Sequence, residues 1–76
     1  MKVTAIDNLI VSYEKDYKSL KNRKDQLNHV KVFTNNANLI LRNMEHVIET
    51  IEIDDRFVVC IAFKQEDRIV LKAAKF

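Results

Sequence analysis

The sequence predicts an α+β fold: an antiparallel helical hairpin followed by a C-terminal β-hairpin, in one small domain over residues 1–76. Three observations predict it. Apolar residues recur at steps of four and three across residues 4–30. A second face of helical period covers residues 36–50, and beyond Asp54 the apolar period falls to two.

In the first helix Ile6, Ile10, Tyr13, Tyr17, Leu20, Lys24 and Leu27 trace the a/d seam of a coiled-coil heptad, broken only by Lys24. Thr4 followed by Asp7 makes a weak capping box. Lys21, Arg23 and Lys24 fall late in the run, where the helix dipole favours cations. Thr34, Asn35 and Asn36 then read as the turn, because asparagine tolerates left-handed backbone and also caps helices. The second helix presents Ala37, Ile40, Leu41, Met44, Val47, Ile48 and Ile51.

The strands are residues 56–64 (RFVVCIAFK) and 68–73, joined by a turn at Gln65, Glu66 and Asp67. Phe57, Val59, Ile61 and Phe63 share one face, with Ile69 and Leu71 as their expected neighbours. Val58, Cys60, Ala62 and Val70 form the other. Both faces of the first strand are apolar, so both need cover. Residues 50–53 have the composition for a third strand through an Asp54-Asp55 turn, which the pattern leaves open.

Folding the two helices back around Phe33 and Thr34 pairs residues whose numbers sum to about 67, since both rise equally per residue. Lys21 then faces Glu45, Lys18 faces Glu49 and Lys15 faces Glu52. The first helix, at roughly 39 Å, outruns the second, at roughly 23 Å. Its overhang carries Ile6, Leu9, Ile10 and Tyr13, which must pack on the β-hairpin, on a second copy of the chain, or on both. Together with Val58, Cys60 and Val70 these are the expected oligomer interface, because so small a core needs reinforcement.

The chain contains no glycine and no proline. Glycine is what lets a backbone wrap a phosphate or enter positive φ without steric cost. P-loops, dinucleotide-binding glycine turns and the GxSxG nucleophile elbow are therefore excluded, and with them a large share of enzyme chemistry. The apolar share of 47% and charged share of 32% exclude general disorder. One cysteine, no signal-like leader and no long apolar run point to a cytoplasmic protein that does not span a membrane. The lysine, isoleucine and asparagine content is of the kind AT-rich genomes produce, including those of phages and plasmids.

The candidate reactive groups have plain structural readings. Cys60 with His29 or His46 would make a nucleophile and base, but a cysteine amid a strand's apolar residues reads as core. His46 and Glu49 share a helix face without the second histidine a metal site would want. Asp54-Asp55 reads as a turn. No catalytic, metal or cofactor site is assigned.

Nucleic-acid contact is the alternative role for the basic residues. Residues 1–34 and 56–76 each carry a net +3 and residues 35–55 a net −4, so most charge balances within the fold. Arg23, Lys24 and Lys31 lack an expected acidic partner and are the candidate nucleic-acid contacts. The expected function is non-enzymatic: a homo-oligomer acting through protein–protein contacts as a regulator, inhibitor or assembly factor of the sort mobile elements encode. Its partners are a second copy of itself and a protein whose identity the sequence does not give.

Overall fold

The first helical run breaks in two at Asn22. In the computed structural model, which describes residues 1–76, α1 is Lys2–Tyr17 and α2 is Arg23–Leu41. Asn22 has extended backbone, at φ −108° and ψ 154°. Its Oδ1 accepts the Asp25 backbone N–H at 2.8 Å, and its amide donates back to the Asp25 carboxylate at 2.9 Å. This reciprocal cap opens a new helix inside what the heptad spacing makes a single one. Leu20 and Lys24, read as seam positions of one helix, therefore lie on opposite sides of the break.

The expected turn at Thr34, Asn35 and Asn36 is instead the interior of α2. Thr34 returns its hydroxyl to the Lys31 carbonyl at 2.8 Å, and Asn36 donates to the Tyr13 hydroxyl at 2.7 Å. With such partners, residues that often interrupt helices are satisfied within one. Val30, Phe33, Ala37 and Leu41 keep the apolar stripe continuous through the segment.

Most of the remaining second helix is strand. β1 (His46–Ile53) reads HVIETIEI, with five β-branched residues in eight, and that favours a pleated surface over a helix. β2 (Arg56–Gln65) and β3 (Arg68–Lys75) complete an antiparallel sheet in the order β1-β2-β3. The α+β architecture is the expected one, with three strands rather than a hairpin, and β1–β2 indeed joined through Asp54-Asp55.

Both turns lack glycine and still use left-handed backbone. Asp54 and Asp55 have φ of 50° and 64°, Glu66 and Asp67 of 52° and 65°. Two consecutive left-handed residues make the mirror-image turn whose twist matches a hairpin. Such a turn pairs Gln65 with Arg68 and Phe63 with Val70. The expected three-residue turn at 65–67 is thus one residue too long, and the error inverts β3. Val70, not Ile69 or Leu71, shares the face of Phe63.

Both helices pack on one side of this sheet. α1 lies against β3 and α2 against β1 and β2, while Tyr13 facing Phe33 and Tyr17 facing His29 show the helices running antiparallel. Ile6 and Ile10 from α1 and Val30, Phe33, Ala37 and Leu41 from α2 meet Phe57, Val59, Ile61, Phe63, Ala74 and Phe76 in the core. An aromatic cluster of Tyr13, Tyr17, His29, Phe33 and Phe76 closes its end. There His29 Nε2 donates to the Tyr13 carbonyl at 2.9 Å.

The expected ladder of Lys15, Lys18 and Lys21 against Glu52, Glu49 and Glu45 does not form. Residues 46–53 are the strand at the opposite edge of the sheet from α1, which does not pack on it. Glu52 is instead bound by Arg23 at 2.8 Å. Arg23 also donates to the Asp55 carbonyl at 2.9 Å and lies 4.5 Å from the centroid of the Phe57 ring. One guanidinium thus ties the start of α2 to the β1–β2 turn. α1 is tied to β3 by Asp7 and Lys72 at 2.9 Å and by Glu14, which accepts the Lys75 backbone N–H at 2.8 Å.

Two outcomes follow for thermal unfolding followed by circular dichroism. Arg23→Ala should cost about 1–2 kcal/mol, and Arg23→Lys should not restore it, because an ammonium reproduces neither the fork nor the stacking. Glu66→Asn combined with Asp67→Gly should raise Tm by about 3–6 °C, since Asn-Gly relieves the left-handed strain.

Candidate interaction surface

Strand pairing divides the sheet's side chains into two sets. Facing the helices are Ile48, Phe57, Val59, Ile61, Phe63, Val70 and Ala74. The outer face consists of cross-strand rows, of which the middle three are Val47, Ala62 and Leu71; Glu49, Cys60 and Ala73; and Ile51, Val58 and Lys75. Lys64 and Ile69 lie beyond one end of these rows, and Ile53 and Arg56 beyond the other. No element of the chain covers this face.

The face is apolar and wet. Val47 is 64% exposed, Ile51 41%, Ile53 55%, Ile69 64% and Leu71 73%. Together with Val58, Cys60, Ala62 and Ala73 they form one continuous patch, with charged residues toward its margins. By these exposures it leaves roughly 500 Å² or more of apolar surface in water, in the upper part of the range for a monomer's largest patch. The alternation along β2 causes this directly. Its sequence RFVVCIAFK places an apolar side chain on both sides at nearly every step, whereas a sheet meant to face water alternates apolar with polar.

The residues expected at an oligomer interface divide accordingly. Val58 and Cys60 lie on the outer face, and Cys60 is exposed there rather than buried in the core. Val70 lies on the inner face, for the register reason given above. Ile6 and Ile10 are buried within their own chain, and Leu9 and Tyr13 pack against the same core. A second subunit cannot reach Ile6 or Ile10 in this fold. The supposed overhang existed only because the first helix was taken past its true end, and α2 and the sheet supply the cover. The sequence reading missed Val47 and Ile51, which it placed on a helix, and Ile69 and Leu71, which it placed on the inner face. The Glu66-Asp67 pair was the available signal, since read as a two-residue turn it fixes the register of β3.

The basic residues separate too. Arg23 has acidic and aromatic partners and is not the unpaired cation it was taken for. Lys24 and Lys31 remain exposed on the outward side of α2. They share that side with Asn28, Asn35 and Arg42 at helical spacing, and Asp25 borders the same depression as Lys24, Asn28 and Lys31.

The reactive groups lie apart. Cys60 is on the outer face, while His29 sits in the aromatic cluster and His46 points to the helix side, bonded to the Met44 carbonyl and the Asn38 side chain at 2.8 Å each. The sheet stands between the thiol and both imidazoles. No group of three or more His, Cys, Asp or Glu side chains converges to hold a metal ion. The largest depression, of ≈ 810 Å³, is an open trough at the sheet's end, rimmed by Glu14, Lys18, Asp55, Arg56 and Lys75, of both signs. No helix is long and apolar enough to cross a membrane.

No family model, curated protein or solved structure matches the chain.

At nanomolar protein, Cys60 should react with a maleimide under native conditions at the rate of an unhindered thiol. A reaction that waits for denaturant would contradict its placement on the outer face.

Proposed function

We propose that this protein is a non-enzymatic, cytoplasmic interaction module that works as a homo-oligomer through the outer face of its sheet. The observation that carries the reading is the contiguous apolar patch on a sheet whose other face already holds both helices. A patch at the upper end of the range for a monomer is often functional, and the cover that fits an apolar sheet face is a second sheet at about 10 Å. The chain's own economy supports a second copy as that cover. Only 12 of 76 residues are buried, so the core is thin and association would add to it. The separation of Cys60 from both histidines supports a non-catalytic role. Its exposed free thiol suits a reducing compartment, hence the cytoplasmic assignment. In the cell such an oligomer would act as a regulator, inhibitor or assembly factor, with a further protein bound to the surfaces left free.

A second reading is nucleic-acid contact by the basic and asparagine-bearing side of α2. Lys24, Lys31 and Arg42 span about 27 Å along one helix face and alternate with asparagines, which can hydrogen-bond to bases. Duplex binding that weakens with salt and is lost when all three become alanine would support it, whereas no binding at low salt would end it.

Sedimentation velocity across nanomolar to millimolar protein tests the first reading. A dimer or larger species should form as concentration rises, and Leu71→Lys should hold the chain monomeric while its circular dichroism stays native. A wild-type monomer throughout the range would refute it.

A further inference from the structure

The outline and charge pattern of the outer face specify how two copies meet. We propose that two subunits stack face to face with aligned strands, β1 of each lying over β3 of the other, and that Glu49 selects this arrangement by lying beside the partner's Lys75. The proposal rests on the self-association proposed above and adds its geometry.

The outline comes from strand spacings. Three strands of eight or more residues make a face of roughly 14 by 26 Å. Two such faces crossed at right angles overlap over roughly 200 Å² in projection, and aligned they overlap over roughly 360 Å². A stable association buries at least about 1,000 Å² of accessible surface in total. With side-chain relief added, the aligned arrangement approaches that figure and the crossed one falls far short.

Edge-to-edge pairing is a poorer route. At the edge of β3 one backbone group is already taken, the Lys75 N–H by Glu14 of α1, and Asp7 of α1 binds the Lys72 side chain beside it. The edge of β1 is free, but pairing it with its copy brings the unpaired carboxylate of Glu49 close to its own counterpart. It would also leave the apolar patch in water.

Two aligned arrangements have two-fold symmetry. If the axis crosses the strands, β1 covers its own copy. Glu49, in the middle row, then sits over the same residue of the other subunit, and two carboxylates meet within an apolar layer. If the axis runs along the strands, Glu49 sits over the partner's Ala73, one step along that strand from the partner's Lys75. Val47 then covers the partner's Leu71 and Ile51 the stem of the partner's Lys75, on either side of a middle row in which Cys60 meets its own copy. Neither Glu49 nor Lys75 has an ion-pair partner within its own chain, so both charges are free to serve this contact. Symmetry supplies the pair twice.

The test uses the full chain in a Cys60→Ser background and reads orientation separately from assembly. Single-cysteine variants Val47→Cys, Ile51→Cys and Leu71→Cys are mixed in pairs and treated with a short bismaleimide. Val47→Cys should link to Leu71→Cys and not to Ile51→Cys. In sedimentation, Glu49→Lys or Lys75→Glu alone should weaken the dimer about tenfold, as expected for losing two exposed pairs, and the doubly swapped chain should regain most of the loss. A dimer that links Val47→Cys to Ile51→Cys, or that tightens on Glu49→Lys, would overturn the orientation and leave self-association standing. A chain monomeric at every concentration would overturn both.

Discussion

One constraint shapes the molecule: β2 carries apolar side chains on both faces, and the chain has helices enough to cover only one. A strand of this kind is ordinary at the centre of a three-layer protein, where each face meets a layer. Here α1 and α2 lie on the same side, over Phe57, Val59, Ile61 and Phe63. The opposite face, centred on Cys60, is left to water or to another molecule. Val11 and Leu39 are also well exposed, at 65% and 61%, but they sit singly on helices, and scattered apolar residues of that kind call for no partner.

The remaining contacts follow from keeping two short helices on that one face. The helix–helix connection is short, and Asn22 caps α2 at once, so the second helix returns directly across the sheet. Each helix is then pinned to a strand by charge. Arg23 holds the start of α2 to the β1–β2 turn, while Asp7 and Glu14 hold α1 to β3. Exposed ion pairs contribute little to stability individually. Their use here is positional, since they set the lateral placement of α1, and Glu14 also takes one backbone N–H at the β3 edge.

The fold class was legible in the sequence because period is a strong signal, and the shift to a period of two was correctly located for β2 and β3. The boundaries were less legible, for physical reasons. Heptad spacing continues by chance across the Lys18 to Asn22 break, and only the Asn22 to Asp25 cap marks it. Val47, Ile48 and Ile51 fit both a helix face and a strand, and strand pairing with β2 decides between them. The four left-handed residues in the turns are three aspartates and a glutamate, so the usual glycine signal for a two-residue turn was missing. The interaction surface inherited these errors. Val58 and Cys60 were found from the double-sided pattern of β2 alone, but Val47, Ile51 and Leu71 required the register.

The most direct test of the uncovered face is methyl NMR with a soluble paramagnetic agent, recorded as protein concentration rises. The methyls of Val47, Ile51 and Leu71 should be strongly relaxed at low concentration and become shielded at high concentration, while those of Val11 and Leu39 stay exposed throughout. If all five remain equally relaxed at every concentration, the outer face of the sheet is simply solvated and the account is contradicted.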